Sequence, residues 1–194
     1  REAGLYGVPA IASSFTKFDA EGMEKAIQAT LEAVAMAAKV LPPQAKNLGR
    51  PNGSTSAGYY EDWPMETGAP QWAENPNRFL RSAFADGDLM LNVNVPPTWD
   101  GGWASTRLGV RWYRNAVRFE DTGTKQTATF TIGAASVDHS EVDAGDCDAV
   151  ELSKASLSCL AVWPQSHPFA VSNGLMAHAL NNTVDGWPSW LVID

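Results

Sequence analysis

The sequence predicts an α/β fold: a parallel-sheet body, a long β-hairpin extension and a C-terminal strand and helix. Three observations predict it. A short apolar run from Val8 to Ser14 follows Gly7 and reads as a buried strand. Met23, Ile27, Leu31, Val34, Ala38 and Leu41 then recur at spacings of three and four, giving a helix one apolar face. The tract Leu91-Asn92-Val93-Asn94-Val95 ends on Pro96-Pro97. Neither proline can donate to a ladder, so a buried strand must stop there. Strand, helix and strand in this order form a βαβ unit, for which a parallel pairing with a right-handed crossover is the default.

Each element has a local cause. Asp19 can cap the helix, Glu21 is favourably placed in its first turn, and Pro42-Pro43 ends it. The stretch 47–87 carries Gly, Pro, Ser and Asn with scattered aromatics (Tyr59, Tyr60, Trp63, Trp72, Phe79). It reads as a loop insertion, with Asn77 to Phe84 as a short helix within it. Ordered loops of this length are uncommon and often functional. After the Gly101-Gly102 turn a further strand is expected through Thr106 to Tyr113. Two extended arms flank the turn signal Asp121-Thr122-Gly123-Thr124, with Val117 and Phe119 alternating on one arm and Phe130 and Ile132 on the other. This predicts a β-hairpin over 110–133. A last strand runs from Ser156 to Val162 and ends at Pro164. Val171 to Leu180 then forms a helix stopped by Asn181-Asn182.

Composition narrows the function. A chain of 194 residues with 44% hydrophobic residues suits a single domain over 1–194. A formal charge of −8 and a pI near 4.8 argue against a nucleic-acid surface, which needs clustered Lys and Arg. No stretch approaches the roughly 20 apolar residues that span a bilayer. The N-terminus lacks a signal-peptide layout, so no membrane partner and a cytoplasmic location are expected. Cys147, in an acidic loop, and Cys159, in an alternating strand, are too few for a disulfide scaffold and read as free thiols.

Residue patterns alone carry little chemistry. Glu141, Asp143, Asp146, Asp148 and Glu151 could wrap a hard cation, but their spacing departs from the EF-hand and a solvated loop is favoured. His139, His167 and His178 share no ligand spacing. Trp63, Trp72, Trp99, Trp103 and Trp112 suggest a sugar platform, although such residues more often plug loops onto a core. Asn52-Gly53-Ser54 and Asn181-Asn182-Thr183 match the glycosylation pattern, a weak signal without a secretion signal. There is no G-x-S-x-G elbow, P-loop or Cys-His pairing.

Four tracts in order resemble the SurE family of nucleotide phosphatases. Arg1-Glu2-Ala3 with Gly7-Val8-Pro9-Ala10-Ile11-Ala12-Ser13-Ser14 is similar to R-E-A-x-x-x-G-x-P-x-I-A-x-S. Leu91 to Pro96 matches L-N-V-N-V-P, and Thr106-Arg107-Leu108-Gly109-Val110-Arg111-Trp112-Tyr113 matches T-R-L-G-x-R-x-Y. Ala149-Val150 through Leu160 aligns without a gap on A-V-x-x-G-Y-V-S-I-T-P-L. The chain departs from the pattern at Ser153-Lys154, at Ser158-Cys159 and in its long insertion.

The resemblance implies a metal-dependent phosphomonoesterase, a 5'/3'-nucleotidase whose substrate is a nucleoside monophosphate. The implied cofactor is a divalent metal, Mg or Mn, held by two Asp, a Ser and an Asn. The family's N-D-D-G motif, and the Ser and Asn before its S-G-T-V-x-A-A helix, do not occur here. The chain therefore resembles the back portion of such a protein, with none of the metal ligands among its own motifs. It is expected to be inactive alone. Ser13, Ser14 and Asn94, at the carboxyl ends of strands, are the candidates for lining the substrate pocket. The resemblance also implies a homo-oligomer, dimer or tetramer, assembled through the hairpin. Two other readings remain open at this point: a non-catalytic oligomerisation module and a Trp-rich ligand- or sugar-binding domain.

Overall fold

The computed structural model describes residues 1–16, 19–43, 70–109, 111–113, 117–121, 126–130, 134–136, 145–165, 167 and 169–193. Between 111 and 136 only the strands' backbones are described. Glu141, Asp143, His139, Tyr59, Tyr60, Trp63 and the front of the 47–87 insertion lie outside the described residues.

The body is α/β, as the sequence predicts. A four-stranded sheet has the order β1-β2-β8-β3, where β1 is Ile11–Phe15, β2 Leu89–Val95, β3 Trp103–Thr106 and β8 Ala155–Ala161. β1 pairs parallel with β2, and β3 parallel with β8. The central β2–β8 pair is antiparallel, so the sheet is mixed rather than purely parallel. β1 also begins later than the Val8 run suggests. It is an edge strand rather than a buried one, with Ala12, Ser13 and Ser14 exposed.

Alternation splits the sheet into two unlike faces. Leu91, Val93, Val95 and Leu157 are fully buried on one face, and Ile11 and Phe15 pack beside them. Three helices cover this face: α2 (Ala20–Val40), α3 (Pro76–Ala85) and α5 (Asn173–Asn181). Toward the carboxyl end of β2 the other face is polar. There Ser14, Asn94 and Ser156 stand side by side in one row, and Asn92, Ser158 and Thr106 in the next. The short α4 (Asp146–Glu151) packs over that polar face. A first turn, α1 (Glu2–Leu5), is tied down by Arg1, whose Nε donates to the Val162 carbonyl at 2.8 Å.

Asp19 caps α2 as expected, and Asn75 and Ser172 cap α3 and α5 in the same way. Asp19 accepts from the Gly22 amide at 2.8 Å, Asn75 from Arg78 and Ser172 from Leu175. The apolar face of α2 is not the one the sequence suggests. Its buried positions are Gly22, Ala26, Ala29, Ala33 and Ala37, while Met23, Ile27, Leu31, Val34 and Ala38 are exposed. Alanines let the helix axis come close to β1 and β2, which a row of long side chains would prevent.

The expected strand from Thr106 to Tyr113 is broken. β3 stops at Thr106, Arg107 makes an isolated bridge to Gly145, and Leu108 is exposed. Beyond it, β4 (Arg111–Tyr113) pairs antiparallel with β7 (Ala134–Ser136), and β5 (Val117–Asp121) with β6 (Gln126–Phe130). The residues that connect these two ladders, 114–116, 122–125 and 131–133, lie outside the described residues. After α5, β9 (Thr183–Val184) and β10 (Trp187–Pro188) make a small hairpin. Its Gly186 has φ +84°, and a Cβ there would overlap the Trp103 carbonyl. A glycine is required.

α5 is clamped to α3 through His178. Its Nε2 lies 3.1 Å from Asn77 Oδ1, and its Nδ1 is 3.0 Å from Asn182 Nδ2. A carboxamide oxygen on one side and an amide nitrogen on the other suit a neutral ring that donates from Nε2 and accepts at Nδ1. Desolvation lowers the His178 pKa below its ordinary 6.5. A pKa depressed in the folded state stabilises the fold above the unfolded value and loses that stabilisation as pH falls through the folded one. The melting temperature should therefore fall between pH 7.5 and 5. In His178→Gln that fall should be smaller; parallel curves for the two proteins would rule the clamp out.

Candidate functional site

The candidate site lies on the polar sheet face, at the carboxyl ends of the parallel strands β1 and β2. Ser14 and Asn94 are opposite each other in the ladder. The Ser14 hydroxyl donates to Asn94 Oδ1. Asn94 Nδ2 in turn donates to Asp146 Oδ2 at 3.0 Å. The remaining Asp146 oxygen accepts from the backbone amides of Gly109 and Cys147, both at 2.8 Å. Hydroxyl, carboxamide and carboxylate thus form one directed chain, with every proton position dictated by its acceptor.

Gly109 makes the close approach possible, since a Cβ there would overlap Cys147 Sγ. This contact explains the break after Thr106: the chain leaves the sheet to reach the first turn of α4. Cys147, expected in a loop, is buried in that turn, and Asp146, Asp148 and Glu151 are helical rather than part of the solvated loop that the sequence favours. Asp148 Oδ2 accepts from the Gly145 amide at 3.1 Å. One row further in, Thr106 and Ser158 share a buried hydrogen bond of 2.7 Å. Ser156 is fully buried beside Asn94, and its hydroxyl oxygen has no hydrogen-bond partner among the described residues.

Of the three residues expected to line a pocket, Ser14 and Asn94 come together and Ser13 stands apart. Alternation turns Ser13 to the α2 side, where its hydroxyl lies 2.6 Å from Thr30 Oγ1. Thr30 donates its own proton to the Ala26 carbonyl, so Ser13 is the donor. Sequence reasoning missed Asp146 as a partner of this pair. Its signal was available only in part: an Asp at the start of an A-V helix, with Gly109 bringing the chain near.

A divalent cation does not fit this arrangement. The single carboxylate is committed to three donors, and the Ser14 and Asn94 oxygens are committed to each other. No group of three His, Cys, Asp or Glu able to hold a metal occurs among the described residues. The other expected features fall elsewhere. His167 stacks on Trp163 with ring centroids 4.1 Å apart, whereas His178 is engaged with Asn77 and Asn182. Trp99 and Trp103 are buried edge to face at 5.9 Å, and Trp103 packs on Trp187 at 4.1 Å. Neither Trp99 nor Trp103 offers a ring face to a sugar. Burial pushes the Cys159 thiol up to about 12, against a smaller opposing pull from the Trp190 indole, which leaves it an inert thiol. No helix among the described residues is long and apolar enough to cross a membrane.

No family model matches the chain, and no curated protein matches it. Among solved structures it is similar to the SurE protein from Aquifex aeolicus, at 19% sequence identity and a TM-score of 0.40. That match covers 87% of this chain and 48% of the SurE chain, so the chain spans about half the length of that protein.

Proposed function

We propose that this chain is the back portion of a SurE-like metal-dependent phosphomonoesterase acting on nucleoside monophosphates. One observation carries the reading. Three tracts that resemble the SurE family lie far apart in sequence and meet in a single hydrogen-bonded chain. Ser14 closes the first tract, Asn94 lies in the second and Gly109 in the third. Asp146 joins them just before the fourth tract opens at Ala149. The meeting point is at the carboxyl ends of parallel strands, where open α/β sheets build their ligand sites.

The described residues supply no cation ligand set, so the reading assigns the Mg or Mn site to the family's N-D-D-G portion. What this chain contributes is a wall. The exposed Ser14 hydroxyl is oriented by Asn94, and Asn94 by the Asp146 carboxylate, whose charge is balanced by backbone amides. A wall of this kind can accept hydrogen bonds from a substrate's hydroxyls without reorganising.

The coding sequence upstream of Arg1 tests the reading. An in-frame N-D-D-G segment is expected, and the extended protein should hydrolyse a nucleoside monophosphate with Mn²⁺. A start codon near Arg1, or an extended protein without turnover, would favour the assembly-module reading instead.

A further inference from the structure

Four residues of α3 form one stripe. Arg78, Arg81, Ser82 and Ala85 recur at the three- and four-residue spacing that puts side chains on one helix face. The helix buries Leu80, Ala83 and Phe84 on another. Val40, Leu41 and Pro42, where α2 ends, stand opposite the stripe and close a groove of about 360 Å³. That is the volume of a small-molecule site. One wall is apolar, and the other carries two guanidiniums and a hydroxyl.

Charge and geometry say what fits between them. The chain has a formal charge of −8. Even so, among the described residues neither Arg78 nor Arg81 has a carboxylate within ion-pair distance. Glu74 and Asp86, the acidic residues that flank α3 in sequence, are not among the described residues that line the groove. Arg81 is held from behind. Its Nε donates to the Trp190 carbonyl at 2.7 Å and its Nη2 to the Val192 carbonyl at 3.2 Å. Both Nη1 hydrogens are left for a further acceptor. Arg78, one turn earlier and exposed, keeps all its donors.

Like charges one turn apart repel each other, and an anion held between them removes the repulsion. A phosphate monoester carries a charge of about −1.5 to −2 at neutral pH and matches both guanidiniums; a carboxylate brings only one charge. The guanidinium fork also bonds phosphate oxygens in pairs. The Ser82 hydroxyl can donate to a remaining oxygen, and the apolar wall takes the organic part of the ligand.

We propose that the groove between α2 and α3 binds a phosphate monoester with a small apolar or aromatic body. Arg78, Arg81 and Ser82 hold the phosphate, and Val40, Leu41 and Pro42 cover the body. The groove is on the helix-covered side of the sheet, opposite Ser14, Asn94 and Asp146. It does not depend on the phosphatase reading.

Titration calorimetry of the full chain with phenylphosphonate tests it, at mildly alkaline pH where this non-hydrolysable probe is a dianion. One site is expected, with a dissociation constant of about 1 mM or tighter. Inorganic phosphate lacks the apolar body and benzoate carries a single charge, so both should bind more weakly. Arg78→Gln should weaken phenylphosphonate at least about tenfold. It should leave the melting temperature unchanged, because the Arg78 side chain holds nothing else in the fold. Ser82→Glu places a carboxylate one turn from Arg78 at an exposed position, which suits the helix and should abolish binding. No saturable binding of phenylphosphonate overturns the proposal. So does benzoate or inorganic phosphate binding as tightly as phenylphosphonate, or an affinity that Arg78→Gln and Ser82→Glu leave unchanged.

Discussion

The isolated chain, incubated with a nucleoside monophosphate and Mn²⁺, should release phosphate no faster than the buffer blank. Mixed or co-expressed with the front portion of a complete SurE protein, it should co-purify with that portion and show metal-dependent turnover. The expected contrast is large because phosphate-monoester hydrolysis is among the slowest uncatalysed reactions, with enzymatic accelerations of up to ~10²¹. Much of that depends on a bound metal, which would stabilise charge and lower the pKa of a bound water. The described residues have no group to do this, since Asp146 is occupied by Asn94 and two amides. Turnover by the lone chain that Asp143→Ala abolishes would move the chemistry to the acidic segment and end the two-portion reading.

Particular residues show what the sequence reveals and what it hides. Asp19 is legible as a cap because capping depends on a few neighbouring residues, and Leu91 to Val95 as a buried strand because β-branched runs closed by Pro have few alternatives. α2 was legible as a helix but not in its orientation. A period of 3.6 fits both the alanine row and the row of Met23, Ile27, Leu31 and Val34, and hydrophobicity favours the wrong one. Which row faces the sheet is decided by how close the axis must come to β1, a tertiary fact. The same holds for β8, whose antiparallel pairing with β2 is a long-range choice that its own alternation does not specify. At the site, Ser14 and Asn94 could be placed at strand ends, and strict alternation would have separated Ser13 from them. Asp146 could not be placed. Its role depends on Gly109 leaving the sheet, and no local pattern announces that break.

Asp146→Ala should be among the most damaging single changes near the site. It removes the acceptor for three donors at once: the Gly109 and Cys147 amides and the Asn94 carboxamide. A polar group left unsatisfied in a buried setting costs about 1–3 kcal/mol. These donors are only part-buried, so water recovers some of the loss and the sum should be about 3 kcal/mol rather than three full penalties. For a chain of this size each kcal/mol lowers the melting temperature by about 2–4 °C. A drop of roughly 6–12 °C follows. Asp146→Asn, which keeps one acceptor oxygen, should fall between the two proteins. Asn94→Leu should cost less than Asp146→Ala, because the carboxylate retains both amides. The readout that separates a local knot from general destabilisation is hydrogen exchange. In Asp146→Ala the Gly109 and Cys147 amides should exchange much faster while the Leu91 and Val93 amides of β2 keep their protection. If Asp146→Ala melts within a degree or two of the wild type and Gly109 remains protected, the hydrogen-bonded chain does not hold the three tracts together. The convergence of the tracts at Asp146 would then not mark a ligand site.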